Sequence, residues 1–250
     1  MLDLVLQQAG VSEPGFARKT VKWAITCTAD GRYTGVVALA DDKSKGRAFE
    51  DCPVLSFSEL IGGEEARSHF LTEALPTVAL YLDDKAEEKD HEKAAAKHSW
   101  FVNLLKQAAQ DMPHLQIAAN LLNDTNALIR IQADLKQAKA KPTEAAVVIV
   151  DGINPLERDD WRDWWRGFRT SLRPPKTAGG KLMRCILTGE AVEPVATNPK
   201  IKGLAGVGGL SMGDVLAGFD KAAFQSYGLE QAANAAMSEA TATAYTQTLN

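Results

Sequence analysis

Cysteine and histidine are scarce in this 250-residue chain, with three of the first and four of the second. Cys27, Cys52 and Cys185 lie far apart and form no Cys-x-x-Cys pair, which excludes a disulfide frame. They are expected as buried thiols in a reducing compartment, with the cytoplasm as the default location. His91 and His98 stand seven residues apart. That is about 10.5 Å along a helix, too far to share one zinc ion. Neither a metal site nor a cofactor is expected. No run approaches the roughly 18 apolar residues of a membrane span. The opening stretch, Met1 to Gly10, lacks the basic n-region and the apolar length of a signal peptide. Nucleotide-binding orders such as GxGxxG and GxxxxGK are missing, as is the GxSxG of a serine hydrolase. Paired carboxylates, Asp83-Asp84 and Asp159-Asp160, sit among other charges and read as solvated surface. Nothing in the residues points to an enzyme.

Positive charge is also short overall, with a formal net charge of −4. It is gathered in one place, however. Trp164 to Lys202 holds eight basic residues (Arg166, Arg169, Arg173, Lys176, Lys181, Arg184, Lys200, Lys202) against two acids, Glu190 and Glu193. The stretch Asp83 to Glu92 is strongly acidic. A polyanion is therefore expected to dock on the second half and to avoid the first. Hydrophobic residues make up 45%, ordinary for a globular chain of this length.

The pattern along the chain predicts an α+β fold: a mixed or antiparallel sheet, a helical insertion over about 64–140, and a helix of small residues at the C-terminus. Leu2 to Leu6 suggests a short helix, and Glu13 to Phe16 a turn. Val21, Trp23, Ile25 and Cys27 alternate with polar or small residues, the period of a half-buried strand. Asp30-Gly31 is a hairpin signal, and Tyr33 to Ala40 reads as the return strand. A third strand is expected through Val54 to Phe57. Helical spacing runs from Glu64 through Leu135. Ala145 to Val150, bounded by Asp151-Gly152, reads as an apolar strand. Asn154-Pro155-Leu156-Glu157 then looks like a helix start. In that helix Trp161, Trp164, Trp165, Phe168 and Leu172 share one face and read as core packing, with base stacking by an exposed Trp as the alternative. Arg158, Arg162, Arg166, Arg169 and Arg173 form a second stripe. It reads either as a solvated face or as phosphate contacts.

The C-terminal stretch joins Lys200 and Lys202 to a loop with Gly203, Gly206, Gly208, Gly209 and Gly213. Glycines expose backbone N–H groups to an anion, and lysines add charge without a fixed geometry. A short helix is expected over Asp214 to Phe224. The amide side chains that follow suit donor and acceptor edges of bases. The helical pattern is still running at Asn250, as expected of a chain that has been cut there or of one that is naturally longer.

The same residues resemble a known family. Cys185, Thr188 and Gly189, then Pro199, Ile201, Lys202 and Gly203, then Phe224, Ser226, Tyr227, Gly228, Glu230, Gln231, Asn234, Ala235, Ser238 and Glu239, and finally Ala244, Tyr245 and Asn250, follow the signature of the large subunit of the subtype I-C CRISPR surveillance complex, Cascade. Pro14-Gly15-Phe16 and the Val21 hairpin extend the likeness to the N-terminus. Asn198 stands where the family usually has His, and Ala233 and Ala236 replace its Gly and Pro. The family's large subunits run to more than twice this length. The resemblance therefore implies one domain over residues 1–250, the N-terminal domain or a shortened member, without the family's C-terminal helical bundle.

What the resemblance implies is a non-catalytic role. Such a subunit recognises the protospacer-adjacent motif in duplex DNA, aids R-loop formation and helps recruit a helicase-nuclease. Its partners would be CRISPR RNA, target duplex DNA, other Cascade subunits and that helicase-nuclease, with no membrane. On this expectation Lys200, Lys202, Gly203, Gly206, Gly208, Gly209, Arg166, Arg169 and Arg173 contact the DNA backbone. Gln225, Ser226, Gln231 and Asn234 read the motif. The rival reading is a protein-interaction scaffold without base reading.

Overall fold

The computed structural model describes residues 13–40, 46–62, 64–172, 182–219, 221–224 and 228–249. The chain forms two compact units, Gly15–Leu172 and a second made of Met1–Pro14 with Arg173–Asn250. The expected N-terminal helix, Arg173, Gln225 and Ser226 lie outside the described residues.

The first unit is built on a four-stranded mixed sheet. Its strands include β2 (Trp23–Cys27) and β3 (Tyr33–Ala38), with β1 (Phe16–Val21) and β4 (Arg47–Pro53) forming a separate antiparallel ribbon. Helix α1 (Phe57–Ile61) follows, then β5 (Thr72–Ala74), α2 (Leu75–Ala79), α3 (Glu88–Ala108), α4 (Pro113–Asn123), α5 (Thr125–Gln137), β6 (Ala145–Val150) and α6 (Arg162–Leu172). The sheet order is β3-β2-β6-β5. Strands β2 and β6 run parallel, and both edge pairings are antiparallel. The alternation in β2 turns Trp23, Ile25 and Cys27 toward the main core. Ala24 and Val147 face the other way, against Val21, Phe49 and Cys52 of the ribbon. Burial on both faces explains why β6 reads as an unbroken apolar run. Helices α2 and α4 pack on β6, α5 packs on β3, and α3 packs against α2 and α4.

Three local readings are corrected. The third strand ends at Pro53, and Phe57 begins a helix instead of ending a strand. Ser56 accepts from the Glu59 N–H and Glu59 accepts from the Ser56 N–H, a reciprocal cap that starts α1. The helical middle is interrupted by β5, where the Thr72 hydroxyl donates to the Ala146 carbonyl at 2.9 Å. Asn154 caps only a 3-10 turn, Pro155–Glu157, and α6 begins later at Arg162. Arg158 is extended there, with φ −115° and ψ 160°, which ends the turn.

Glu144 ties the two parallel strands at their starts. It accepts from Lys22 Nζ and Trp23 Nε1, each at 2.8 Å, and from the Lys141 N–H at 2.9 Å. Burial pushes its carboxyl up, but these three donors outweigh burial and hold it below the usual range. Such a group stabilises fully above the ordinary glutamate pKa, and that help is lost as pH falls through the lower folded value. Glu144→Gln is expected to cost about 2 kcal/mol at neutral pH in urea unfolding. The cost should shrink as pH falls below about 4.3.

The second unit contains β7 (Met183–Arg184) paired with β8 (Ala191–Val192), β9 (Lys200–Ile201) paired with β10 (Asp214–Val215), and helix α7 (Glu239–Leu249). Its core joins Cys185, Ile201, Met237, Ala242 and Tyr245. The Tyr245 hydroxyl donates to the Pro199 carbonyl at 3.2 Å, which fixes α7 on β9. The expected helix over Asp214 to Phe224 is replaced by β10 and a 3-10 turn at Ala222–Phe224. All three cysteines are buried free thiols.

Candidate nucleic-acid interface

The hairpin of the second unit is organised by its glycines. Strands β9 and β10 supply only two residue pairs, Ile201 with Asp214 and Lys200 with Val215. The connection between them must therefore hold itself together. Gly203 enters it at φ 83°, and a 3-10 turn over Leu204–Val207 ends at Gly208, φ 97°. The Gly208 and Gly209 N–H groups both donate to the Leu204 carbonyl. The Leu210 N–H donates to Asp214 Oδ2 at 2.9 Å, and the Gly213 N–H to the Leu210 carbonyl at 3.0 Å.

These bonds sort the glycines by role. A Cβ on Gly209 would fall 2.6 Å from Leu204 Cβ, and one on Gly213 would fall 2.7 Å from the Ile201 carbonyl oxygen. Both positions are forced by close approach within the loop. Gly203 and Gly208 are needed for their left-handed backbone. The expectation that Gly208 and Gly209 offer bare N–H groups is corrected, because those groups serve the loop itself. Gly206 is different. It has no positive φ and no atom within 4 Å of where a Cβ would stand. The fold does not require glycine there.

Lys200, Lys202, Gly203 and Gly206 are exposed, and they share the loop with three large apolar side chains. Val207 is 84% exposed, Met212 77% and Leu210 62%. The hairpin thus presents positive charge, open backbone and an apolar tip together.

The family motifs around the hairpin have local structural causes. The Cys185-x-x-Thr188-Gly189 run is the turn between β7 and β8. The Gly189 N–H donates to the Cys185 carbonyl at 2.9 Å, and Gly189 takes φ 73°. Burial pushes the Cys185 thiol up, but hydrogen bonding with Thr188, Leu187 and Thr241 outweighs it and brings it below its ordinary value. Asn198, where the family usually has His, is buried and donates to the Ala217 carbonyl at 2.9 Å. It braces the approach to β9.

Of the motif-reading candidates, Gln231 is exposed and holds a left-handed backbone, φ 43°. Glutamine gains nothing locally from that conformation, which costs of order 1–3 kcal/mol. Asn234 is half-buried. Its Nδ2 donates to the Gln231 carbonyl at 3.3 Å and to the Leu229 carbonyl at 3.5 Å. The cap of α7 is Ser238, whose hydroxyl accepts from the Thr241 N–H.

Arg158, Arg162, Arg166 and Arg169 of the arginine stripe belong to the first unit, and acids both beside them in sequence and distant in the chain pair with them. Arg162 pairs with Asp51 and Asp159, and Arg166 pairs with Asp163 at 2.6 Å. Arg169 corrects the expectation most sharply. It is 5% exposed and donates from Nε and Nη2 to Glu59 Oε2 at 3.2 and 2.8 Å. An arginine so enclosed is a structural ion pair and leaves the set of backbone contacts. Arg166 remains exposed. The aromatic stripe is core packing, as expected. Trp161 and Trp165 are fully buried and donate to the Pro155 and Gly15 carbonyls.

No helix among the described residues is long and apolar enough to cross a membrane. Among the same residues, no group of three or more His, Cys, Asp or Glu could hold a metal ion.

The fold is α+β, and its second unit offers an exposed hairpin with Lys200 and Lys202 as the candidate site. The chain matches the family model described as CRISPR-associated protein (Cas_Csd1) over residues 3–250. It therefore belongs to the Csd1 family, the large-subunit family of type I-C Cascade, a family of structural subunits. Membership makes it a CRISPR-associated Cascade subunit, with CRISPR RNA and other Cascade subunits as its assembly partners. No curated protein matches it.

Proposed function

We propose that this subunit recognises the protospacer-adjacent motif in duplex DNA, helps to open the duplex for R-loop formation, and helps recruit the helicase-nuclease. The observation that carries the reading is the exposed hairpin with Lys200, Lys202 and a Gly206 that the fold leaves unexplained. Lysines supply a sequence-independent hold on phosphates, and a residue without a side chain lets a sugar-phosphate backbone come close. Gly203 and Gly206 are the contact glycines on this reading. Gly208 and Gly209 shape the loop. Arg166 and Arg173 remain secondary backbone contacts.

The apolar tip supports the opening step. Side chains such as Val207 and Met212 can enter between base steps and unstack them, at a cost repaid by new contacts. Guide pairing then reads the remaining sequence. Gln231, with Gln225 and Ser226, is the candidate duplex reader, because these side chains can donate to the acceptor-rich minor groove. Asn234 spends its Nδ2 hydrogens on the Leu229 and Gln231 carbonyls and offers only Oδ1.

Gln231→Gly separates reading from folding. It relieves the left-handed backbone, so thermal stability should hold or rise. Preference for motif-bearing over motif-free duplex should fall about tenfold, as expected when a base-edge interaction of about 1–3 kcal/mol is removed. If this variant, in assembled complex, keeps the full preference, Gln231 does not read the motif.

The apolar tip also favours a second reading, a docking surface for a protein subunit. Binding through it would be insensitive to salt, whereas a phosphate grip would weaken steeply with salt.

A further inference from the structure

A cleft of about 540 Å³ opens in the second unit between the β7–β8 turn and the strap over residues 229–236. It falls within the roughly 300–1,000 Å³ of small-ligand sites. Its walls include Ile186, Leu229 and Ala233, and its polar groups are Arg184, Gly189 and Asn234. Ile186 is 62% exposed beside it, a large apolar side chain that the unit itself does not cover.

We infer that this cleft receives a single unpaired nucleobase, with its phosphate at Arg184. Two arrangements argue for this ligand. The Asn234 carboxamide is oriented by its Nδ2 bonds to the Leu229 and Gln231 carbonyls. Oδ1 accepts nothing among the described residues, so it is available to an N–H on a base edge. Arg184 is exposed, and its Nε donates to the Gly189 carbonyl at 3.1 Å. That bond holds the guanidinium at the rim, where its remaining N–H groups suit a phosphate. A paired, stacked base cannot enter a concave site, whereas an unpaired one can be splayed out into it. An apolar side chain from a protein partner would fill the walls but leave Arg184 and Asn234 without matching groups. The inference rests on the proposal that this unit faces nucleic acid, and it assigns Asn234 to an unpaired base. That base comes from the CRISPR RNA or from a strand of the opened DNA.

The test uses the assembled complex and abasic substitutions scanned one position at a time. One arm scans the unpaired part of the CRISPR RNA, and the other scans the target DNA strands. One position in one arm should weaken binding about tenfold. The same substitution should add nothing when Ala233→Leu fills the cleft, the non-additivity of two changes at one contact. The arm that responds identifies the source of the base. Asn234→Ser should reproduce the loss without lowering the melting temperature, which separates an empty cleft from a misfolded unit. The inference is overturned if no position in either arm couples to Ala233→Leu. It is equally overturned if that variant weakens assembly with protein subunits when no nucleic acid is present. Coupling that persists while Lys200→Ala/Lys202→Ala leaves duplex binding unchanged would sink the hairpin's proposed role and spare the cleft.

Discussion

Arg169→Ala is expected to lower the stability of the Gly15–Leu172 unit by about 3–5 kcal/mol, the usual result of stripping one partner from a buried ion pair. That is a large part of the roughly 5–15 kcal/mol that holds a domain folded. The size follows from how many elements meet there. Glu59 Oε2 accepts both from Arg169 and from the Ser56 N–H that starts α1. Gly15 takes φ 93°, and a side chain on it would run into the Arg169 guanidinium. The Gly15 carbonyl in turn accepts from Trp165 Nε1 and from the Val54 N–H, each at 2.8 Å. Removing the guanidinium leaves Glu59 charged and enclosed, with a hole beneath Gly15. Guanidinium chloride unfolding of Arg169→Ala, Glu59→Leu and the double variant Arg169→Met/Glu59→Leu measures this. The double variant should cost less than either single one, because a matched apolar pair leaves no stranded charge. If Arg169→Ala unfolds like the parent yet loses DNA affinity, Arg169 is a phosphate contact after all.

Gly213→Val should abolish the hairpin's contribution while sparing the first unit. Valine resists φ 86°, and its Cβ would press on the Ile201 carbonyl, a backbone atom that cannot swing aside. Two residue pairs cannot hold β9 and β10 against that strain. Duplex affinity of the complex is expected to fall at least tenfold, equivalent to about 1.4 kcal/mol or more. Gly206→Ala is the informative partner. It meets open space, so circular dichroism and melting should match the parent, while duplex affinity falls about threefold to tenfold. Unchanged affinity for both variants would mean that no DNA passes over this loop.

Much of the sheet is legible in sequence, because alternation at Trp23 to Cys27, the Asp30-Gly31 turn and the apolar run at Ala145 each carry a local cause. Val21 instead ends β1 and packs with Ala24 on the other face. The aromatic stripe was legible for the same reason. Three features were hidden by distance or brevity. Strand β5 has three residues and exists only through its pairing with β6. The cap at Ser56-Phe57-Ser58-Glu59 carries a Ser-x-x-Glu signal that overlaps the apolar stretch Val54 to Phe57, whose pattern alone suggests a strand. The partner that removes Arg169 from the surface lies 110 residues away, and no stripe pattern reveals it. In the hairpin, sequence showed a cluster of glycines but not their division of labour. Only the backbone bonds to the Leu204 carbonyl and the close approach at Gly213 separate Gly206 from the others.

The salt dependence of duplex binding by the assembled complex bears most directly on the hairpin's role. Log affinity against log salt should have a slope reduced by about 1.8 in Lys200→Ala/Lys202→Ala, near 0.9 for each phosphate that a lysine no longer neutralises. The drop in affinity should be equal for duplexes with and without the motif. A slope identical to the parent's, with affinity unchanged at low salt, would contradict the account.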